Sequence, residues 1–309
     1  TMNRIHGIRI DFHMHLYRDA DEGRRVVGEY PIVEYGAGEG VRLGHTAGTV
    51  EEALAALRAG GVDHGCALNS FELPGYPFPP AGGWPPIPPY AEYADELRAV
   101  DEWICEVGTA HPELLPFVTV NPAVLRATEA AAHIARMADE HGARGLKLHP
   151  VALHAFPAEP ALATTFAACA ERGLPVVAHC GPVRHLAGWA LPASFAPVLE
   201  RHPDLQLVLA HLGGAAWRDV AEVATAFPAV RFDLSEIVSW TGRAPGAPTR
   251  DELGDLIRTI GAERVLLGSD FPWYEPGDVI AAGEDRPGRG EGERAGILGG
   301  NAAALLGMD

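Results

Sequence analysis

Short apolar, β-branched runs alternate with longer Ala-rich segments along this chain. The runs cover residues 8–13, 62–68, 116–120, 145–149, 175–180, 205–210, 230–234 and 264–269. Each has the length of a strand and is too short for a helix. The intervening segments 49–60, 91–110, 125–142, 157–172, 192–202, 215–226 and 249–260 predict helices, and a last helix is expected over 291–307. Several carry apolar positions three or four apart, as in Ile134, Met137 and Ala138. Thr49 with Glu52 and Thr249 with Glu252 have the spacing of capping boxes, and Gly60-Gly61 marks the first helix end.

Eight strands, each followed by a helix, imply an α/β protein with a parallel sheet. Eight such units are the number that closes a (β/α)8 TIM barrel, here expected as a single domain over residues 1–309. A doubly wound open sheet is the alternative. It would place a Gly-rich phosphate loop after an early strand, where this chain instead reads His13-Met14-His15. Two connections, 16–48 and 71–90, are long. Both follow a strand, so in a barrel both belong to the C-terminal face that carries active sites. Tyr30, Tyr35 and Trp84 favour packed lids over solvated insertions.

Composition narrows the partners. The 309 residues include 24 Lys+Arg against 41 Asp+Glu, a formal net charge of −17. That balance argues against nucleic acid and against anionic lipid, both of which need a cationic face. A small-molecule substrate is expected instead. No apolar run approaches the roughly 18 residues of a membrane span. Residues 2–7 show no apolar leader, and Cys66, Cys105, Cys169 and Cys180 form neither a CxxC nor a disulfide pattern. A cytoplasmic protein with reduced thiols is the expectation. Fourteen histidines are many for a chain so poor in cations.

The strand ends account for several of them. His13 and His15 lie two apart on the first strand, so both imidazoles face the same side. His179 ends the fifth strand, His211 the sixth and Asp270 the eighth. An ionisable residue at the end of a buried apolar strand is costly unless paired or metal-bound. Three imidazoles with a carboxylate suit Zn²⁺ or a similar ion. Most other histidines read as ordinary: His111-Pro112 and His202-Pro203 fall where helices end, and His133 and His141 lie on a helix.

The set His13-x-His15, Gly145-Leu146-Lys147-Leu148-His149-Pro150, His179-Cys180-Gly181, Ala210-His211-Leu212-Gly213-Gly214 and Leu267-Gly268-Ser269-Asp270-Phe271-Pro272 resembles the amidohydrolase superfamily. More narrowly it is similar to the amidohydrolase-related family of metal-dependent hydrolases and decarboxylases. The likeness runs from residue 11 to residue 307. It implies that His13, His15, His179 and Asp270 hold one divalent metal, zinc above all, with His211 beside it. A bound metal would lower the pKa of its water to about 7. Asp270 would then act as general base, with the metal and His211 stabilising the oxyanion. Relatives also suggest a homodimer.

Lys147 and His149 face inward on the fourth strand and stay open to several roles. Lys147 could be carboxylated and bridge a second metal, could contact a substrate carboxylate, or could pair with Glu106 or Asp233. His149 is a candidate substrate contact. Arg184, His185, Trp240 and Trp273, with Trp189 and Tyr274, follow strands on the catalytic face and could line a pocket. Equally, tryptophans at loop roots often simply pack. Arg24-Arg25 reads as a solvated charge pair.

The expected function is therefore hydrolysis of an amide, lactone or related bond by metal-activated water. The alternative is metal-dependent, non-hydrolytic decarboxylation of an aromatic or unsaturated acid. The preference for hydrolysis rests partly on the Lys147-Leu148-His149-Pro150 segment, which resembles the family's hydrolase-type members. A catalytically inactive binding barrel would predict erosion of the ligand set, and no ligand is eroded.

Overall fold

A computed structural model describes residues 7–29, 35, 46–71, 73, 87–182, 188–284 and 290–308. The strands are β1 (Ile10–His15), β2 (His64–Leu68), β3 (Leu114–Thr119), β4 (Gly145–Leu148), β5 (Val176–Ala178), β6 (Leu207–Leu209), β7 (Arg231–Asp233) and β8 (Val265–Leu266). They form one eight-stranded sheet in sequence order, β1 to β8, the (β/α)8 barrel expected from the alternation. Every strand overlaps a predicted run, with β1 extending to His15 beyond its run and β3 starting at Leu114 ahead of its own, but β5 to β8 are only two or three residues long. The remaining run residues lie at both ends of these strands, and beyond β6 and β8 the chain turns at His211 and Asp270, with φ 58° and 67°.

The helices are α1 (Ala20–Glu29), α2 (Val50–Gly60), α3 (Ala94–Ala110), α4 (Ala127–His141), α5 (Ala163–Arg172), α6 (Ala196–Arg201), α7 (Val220–Ala226), α8 (Ile237–Trp240), α9 (Arg250–Ile260), α10 (Pro276–Glu284), α11 (Glu291–Ala295) and α12 (Asn301–Leu306). Both capping boxes form: Thr49 and Thr249 accept from the amides of Glu52 and Glu252, whose carboxylates accept the Thr amides in return. His111 and His202 are the C-cap residues of α3 and α6.

Three helices were not anticipated. α1 lies within the long segment after β1, and α8 and α10 follow β7 and β8 directly. The single helix expected over 291–307 is instead broken by a π turn at Gly296–Gly300. Gly299 approaches the backbone there so closely that an added Cβ would stand 2.0 Å from the carbonyl oxygen of Ile8. Much of 16–48 and most of 71–90, including Tyr30 and Trp84, lie outside the described residues, while Tyr35 is described and buried.

The chain divides into two compact units, Thr1–Cys66 with Phe232–Asp309, and Ala67–Arg231. In the first, Ile10, Phe12 and Met14 of β1 are fully buried, and Gly65 makes room for the Met14 sulfur. In the second, parallel register pairs Thr119 with Lys147, Lys147 with Val177 and Val177 with Val208. Gly145 opens β4 because the Phe117 ring of β3 fills the space of its side chain.

Candidate metal centre

In the first unit, β1 supplies three inward side chains at period two: Asp11, His13 and His15, all buried. The strand is held to the segment after β8. Phe12 N–H donates to Leu267 O at 2.8 Å, Asp270 N–H to His13 O at 2.8 Å and His15 N–H to Phe271 O at 2.7 Å. One oxygen of Asp11 accepts from the amides of His13 and Ser269, tying the two segments together. Burial pushes the Asp11 carboxyl up to about 7 against the lowering effect of these bonds. Asp270 itself adopts φ 67°, which swings its carboxylate back toward β1.

The result is a tight donor cluster. His13 Nε2 lies 3.2 Å from His15 Nε2, and Asp270 Oδ1 lies 3.3 Å and 3.4 Å from the two. The opposite nitrogen of His13, Nδ1, faces Asp233 Oδ2 at 3.0 Å. A carboxylate only accepts, so Nδ1 carries the proton and Nε2 presents a lone pair. Lone pairs of this kind repel one another at such separations unless a cation or a shared proton lies among them. Tetrahedral zinc with bonds of about 2.0–2.1 Å places its ligand atoms about 3.3 Å apart. The donor set therefore fits a divalent metal in both chemistry and spacing.

Asp233 is the residue behind His13. Its other oxygen accepts from the Ser235 amide and the Ser235 hydroxyl, fixing the carboxylate from the far side. Gly268 makes this packing possible: an added Cβ would meet His13, Ser235 and Asp233 at 3.1–3.3 Å. Trp273 stands edge-on to His15 with ring centroids 5.5 Å apart. Its indole N–H is buried and finds no acceptor among the described residues. Trp240 donates its N–H to the Tyr274 hydroxyl at 2.7 Å. Glu236, buried just after β7, lies beside that hydroxyl at 3.5 Å.

In the second unit, His179 and His211 meet: His179 Nδ1 and His211 Nε2 are 3.1 Å apart. His211 and Leu212 both take left-handed backbone, φ 58° and 47°, turning the chain sharply at the end of β6. His149 stacks flat on His179, with centroids 4.1 Å apart and rings inclined by 4°. Its Nδ1 accepts from the Ala152 amide, leaving the Nε2–H as a donor. Lys147 is 1% exposed on β4, and the Thr119 hydroxyl donates to its backbone oxygen. Glu106, one partner considered for it, is instead exposed on α3.

Within each unit, then, the predicted residues gather: His13, His15, Asp270 and Trp273 in one, His149, His179 and His211 in the other. Arg184 and His185 lie outside the described residues. Arg24 is exposed and pairs with Asp21 on its own helix. The sequence reading passed over Asp233 as a ligand-orienting group and missed Glu236 entirely. A signal existed, since the seventh strand also ends in an acid, with Ser235 two residues on. His133 is not a bland helix residue: its Nε2 bonds Asp101 at 2.8 Å, and Asp101 also accepts from Asn69 and the Thr119 amide. Burial raises the Asp101 pKa. This buried network braces α3 and α4 against the ends of β2 and β3.

A family model described as amidohydrolase matches residues 10–308. No curated protein matches the sequence. An uncharacterised TIM-barrel protein of Bordetella bronchiseptica is 19% identical, with 97% of this chain and 99% of that one covered and a TM-score of 0.69. A 5-carboxyvanillate decarboxylase of Sphingomonas paucimobilis is 18% identical, covering 98% and 99%, TM-score 0.66. A dihydroxybenzoic acid decarboxylase of Polaromonas sp. JS666, solved with manganese and the inhibitor 2-nitroresorcinol, is 16% identical, covering 97% of each chain, TM-score 0.68. At these identities the likeness is one of fold. Among the described residues no helix is long and apolar enough to cross a membrane.

Proposed function

The chain belongs to the amidohydrolase family, and from that premise we propose that it is a metal-dependent enzyme that releases CO₂ from a hydroxylated aromatic or unsaturated acid. The observation that carries the metal part is the cluster of His13 Nε2, His15 Nε2 and Asp270 Oδ1, with Asp233 fixing the His13 tautomer. By motif order His179 is the fourth ligand. Zinc suits this donor set, and when bound it supplies a positive charge that holds and polarises an anionic oxygen of the substrate.

The protein's own groups do the rest. Trp273 stands beside His15 of the first unit's donor cluster, and Trp240 and Tyr274 lie beside Glu236, an aromatic set that suits a conjugated ring. Loss of CO₂ breaks the carbon–carboxylate bond and leaves its electron pair on the ring carbon. A proton must then reach that carbon, and His211, held against His179, is the proton carrier assigned here. Asp270, as a ligand, holds position and charge. Neighbouring folds that act on phenolic acids support this order of preference.

Hydrolysis of an amide or lactone, the first expectation from sequence, stays as the second reading. It draws on Lys147, whose near-complete burial on β4 suits either a substrate contact or a carboxylated bridge to a second metal. The deciding experiment incubates zinc- or manganese-loaded enzyme with a panel of hydroxybenzoates and enol acids, and separately with lactones and N-acyl amides. Released CO₂ with no hydrolysis is the expected result. Hydrolysis without CO₂ release overturns the proposal, and two metals per chain with a carbamate on Lys147 replaces the one-metal site.

A further inference from the structure

Glu236 is not accounted for by the metal ligands or by any motif. It follows Asp233 by three positions, caps α8 and holds φ 63°, ψ −57°. A side chain with a Cβ disfavours that backbone, and non-glycine residues held there concentrate at functional sites. The side chain is nonetheless 5% exposed, so a carboxylate has been taken out of water on a strained backbone.

Its surroundings are asymmetric. A Glu236 carboxylate oxygen lies within 4.8 Å of a carboxylate oxygen of Asp270. On the other side stands Tyr274, four residues beyond Asp270, with its hydroxyl 3.5 Å from Glu236 Oε1. Trp240 donates into that same hydroxyl at 2.7 Å. With one lone pair of the phenol oxygen taken by the indole N–H, its proton is directed at Glu236. The loops after β7 and β8 are thus joined by an indole–phenol–carboxylate chain that ends beside the Asp270 carboxylate. Two acidic groups side by side make this edge rich in acceptors. A second carboxylate on a ligand would be repelled there, whereas a hydroxyl would be bound.

We propose that Glu236 is a specificity-determining residue that accepts a hydrogen bond from a ring or enol hydroxyl of the substrate. Tyr274 and Trp240 are the positioning residues that aim it. The proposal rests on the metal-centre reading above and narrows its substrate class to acids carrying a hydroxyl donor on the side facing Glu236.

The test measures binding of 2,6-dihydroxybenzoate and 2-fluoro-6-hydroxybenzoate to the metal-loaded enzyme by calorimetry. Both probes keep the carboxylate and one hydroxyl, and fluorine replaces the other hydroxyl at similar size without a donor. Hydrogen bonds to charged groups correspond to about a 10- to 100-fold preference for the dihydroxy probe in the wild type. Glu236→Met should bring the ratio to about one, and Glu236→Gln, which keeps a neutral acceptor, should restore part of it. Tyr274→Phe should lower the ratio by a smaller factor with Glu236 in place. A residue that only supports the fold would weaken both probes alike. Where Glu236→Met fails to fold, a several-fold drop of the ratio in Glu236→Gln decides the question. Equal binding by the wild type, binding of neither probe, or an unchanged ratio in the variants overturns the proposal. Metal content of the same samples separates the two readings: full metal with an unchanged ratio removes only the role of Glu236, and a wild type that takes up no divalent metal removes both.

Discussion

Asp233 Oδ2 lies 3.0 Å from His13 Nδ1, both side chains fully buried, and this contact decides which nitrogen of His13 can bind a metal. A carboxylate behind a ligating imidazole fixes its tautomer, orients the ring and raises its basicity. Asp233→Asn keeps the shape but can hold His13 in the wrong tautomer. Zinc affinity, read by competition with a chromophoric chelator, should fall about 10- to 100-fold. Unchanged affinity would remove His13 from the ligand set.

Loss of a ligand should uncouple metal from stability. A metal that binds only the folded chain stabilises it by about 2.7 kcal/mol at one hundred times its Kd. Zinc added to the stripped wild type should raise the urea midpoint accordingly. His15→Ala and Asp270→Asn should show little or no rise at the same zinc concentration. A full rise in either variant would place the metal elsewhere.

Asp11 predicts a pH dependence in metal-free protein. Its folded pKa is raised to about 7 by burial, above the ordinary value of 3.8. Between those values the folded chain keeps a proton that the unfolded chain has released. Stability from this group therefore falls as pH rises from about 4 to about 7, then levels off. Asp11→Asn retains one oxygen for the His13 and Ser269 amides and does not titrate. Its urea midpoint should gain on that of the wild type between pH 5 and pH 8. A constant difference across that range would show that Asp11 does not titrate in this window.

Gly145 should tolerate no side chain. An added Cβ would stand 2.1 Å from Cε1 of Phe117, and the ring is fully buried. Gly145→Ala should cost about 1–3 kcal/mol, the usual range for overpacking a core. Equilibrium unfolding measures it, and the double variant with Phe117→Leu should recover part of the loss.

Much of this was legible in the residues because its causes are local. Period-two alternation placed His13 and His15 on one face of β1, and Thr49–Glu52 and Thr249–Glu252 announced their helix starts. Strand-terminal His179, His211 and Asp270 stood out because a polar group ending an apolar run needs a reason. The last helix was misread because Gly299 breaks it for a tertiary cause, its contact with the Ile8 backbone. Periodicity carries no trace of such a neighbour.

What the sequence by itself determined was the fold, its order of strands and the donor types at their ends, since these follow from short-range patterning and chain order. Only the tertiary structure decided which groups meet. It set Asp233 against His13 across 220 positions, joined Asp101 to His133, and turned Glu236 toward Tyr274 on a left-handed backbone. Contacts of that kind depend on where packing brings distant backbone segments, and no local rule of spacing encodes them.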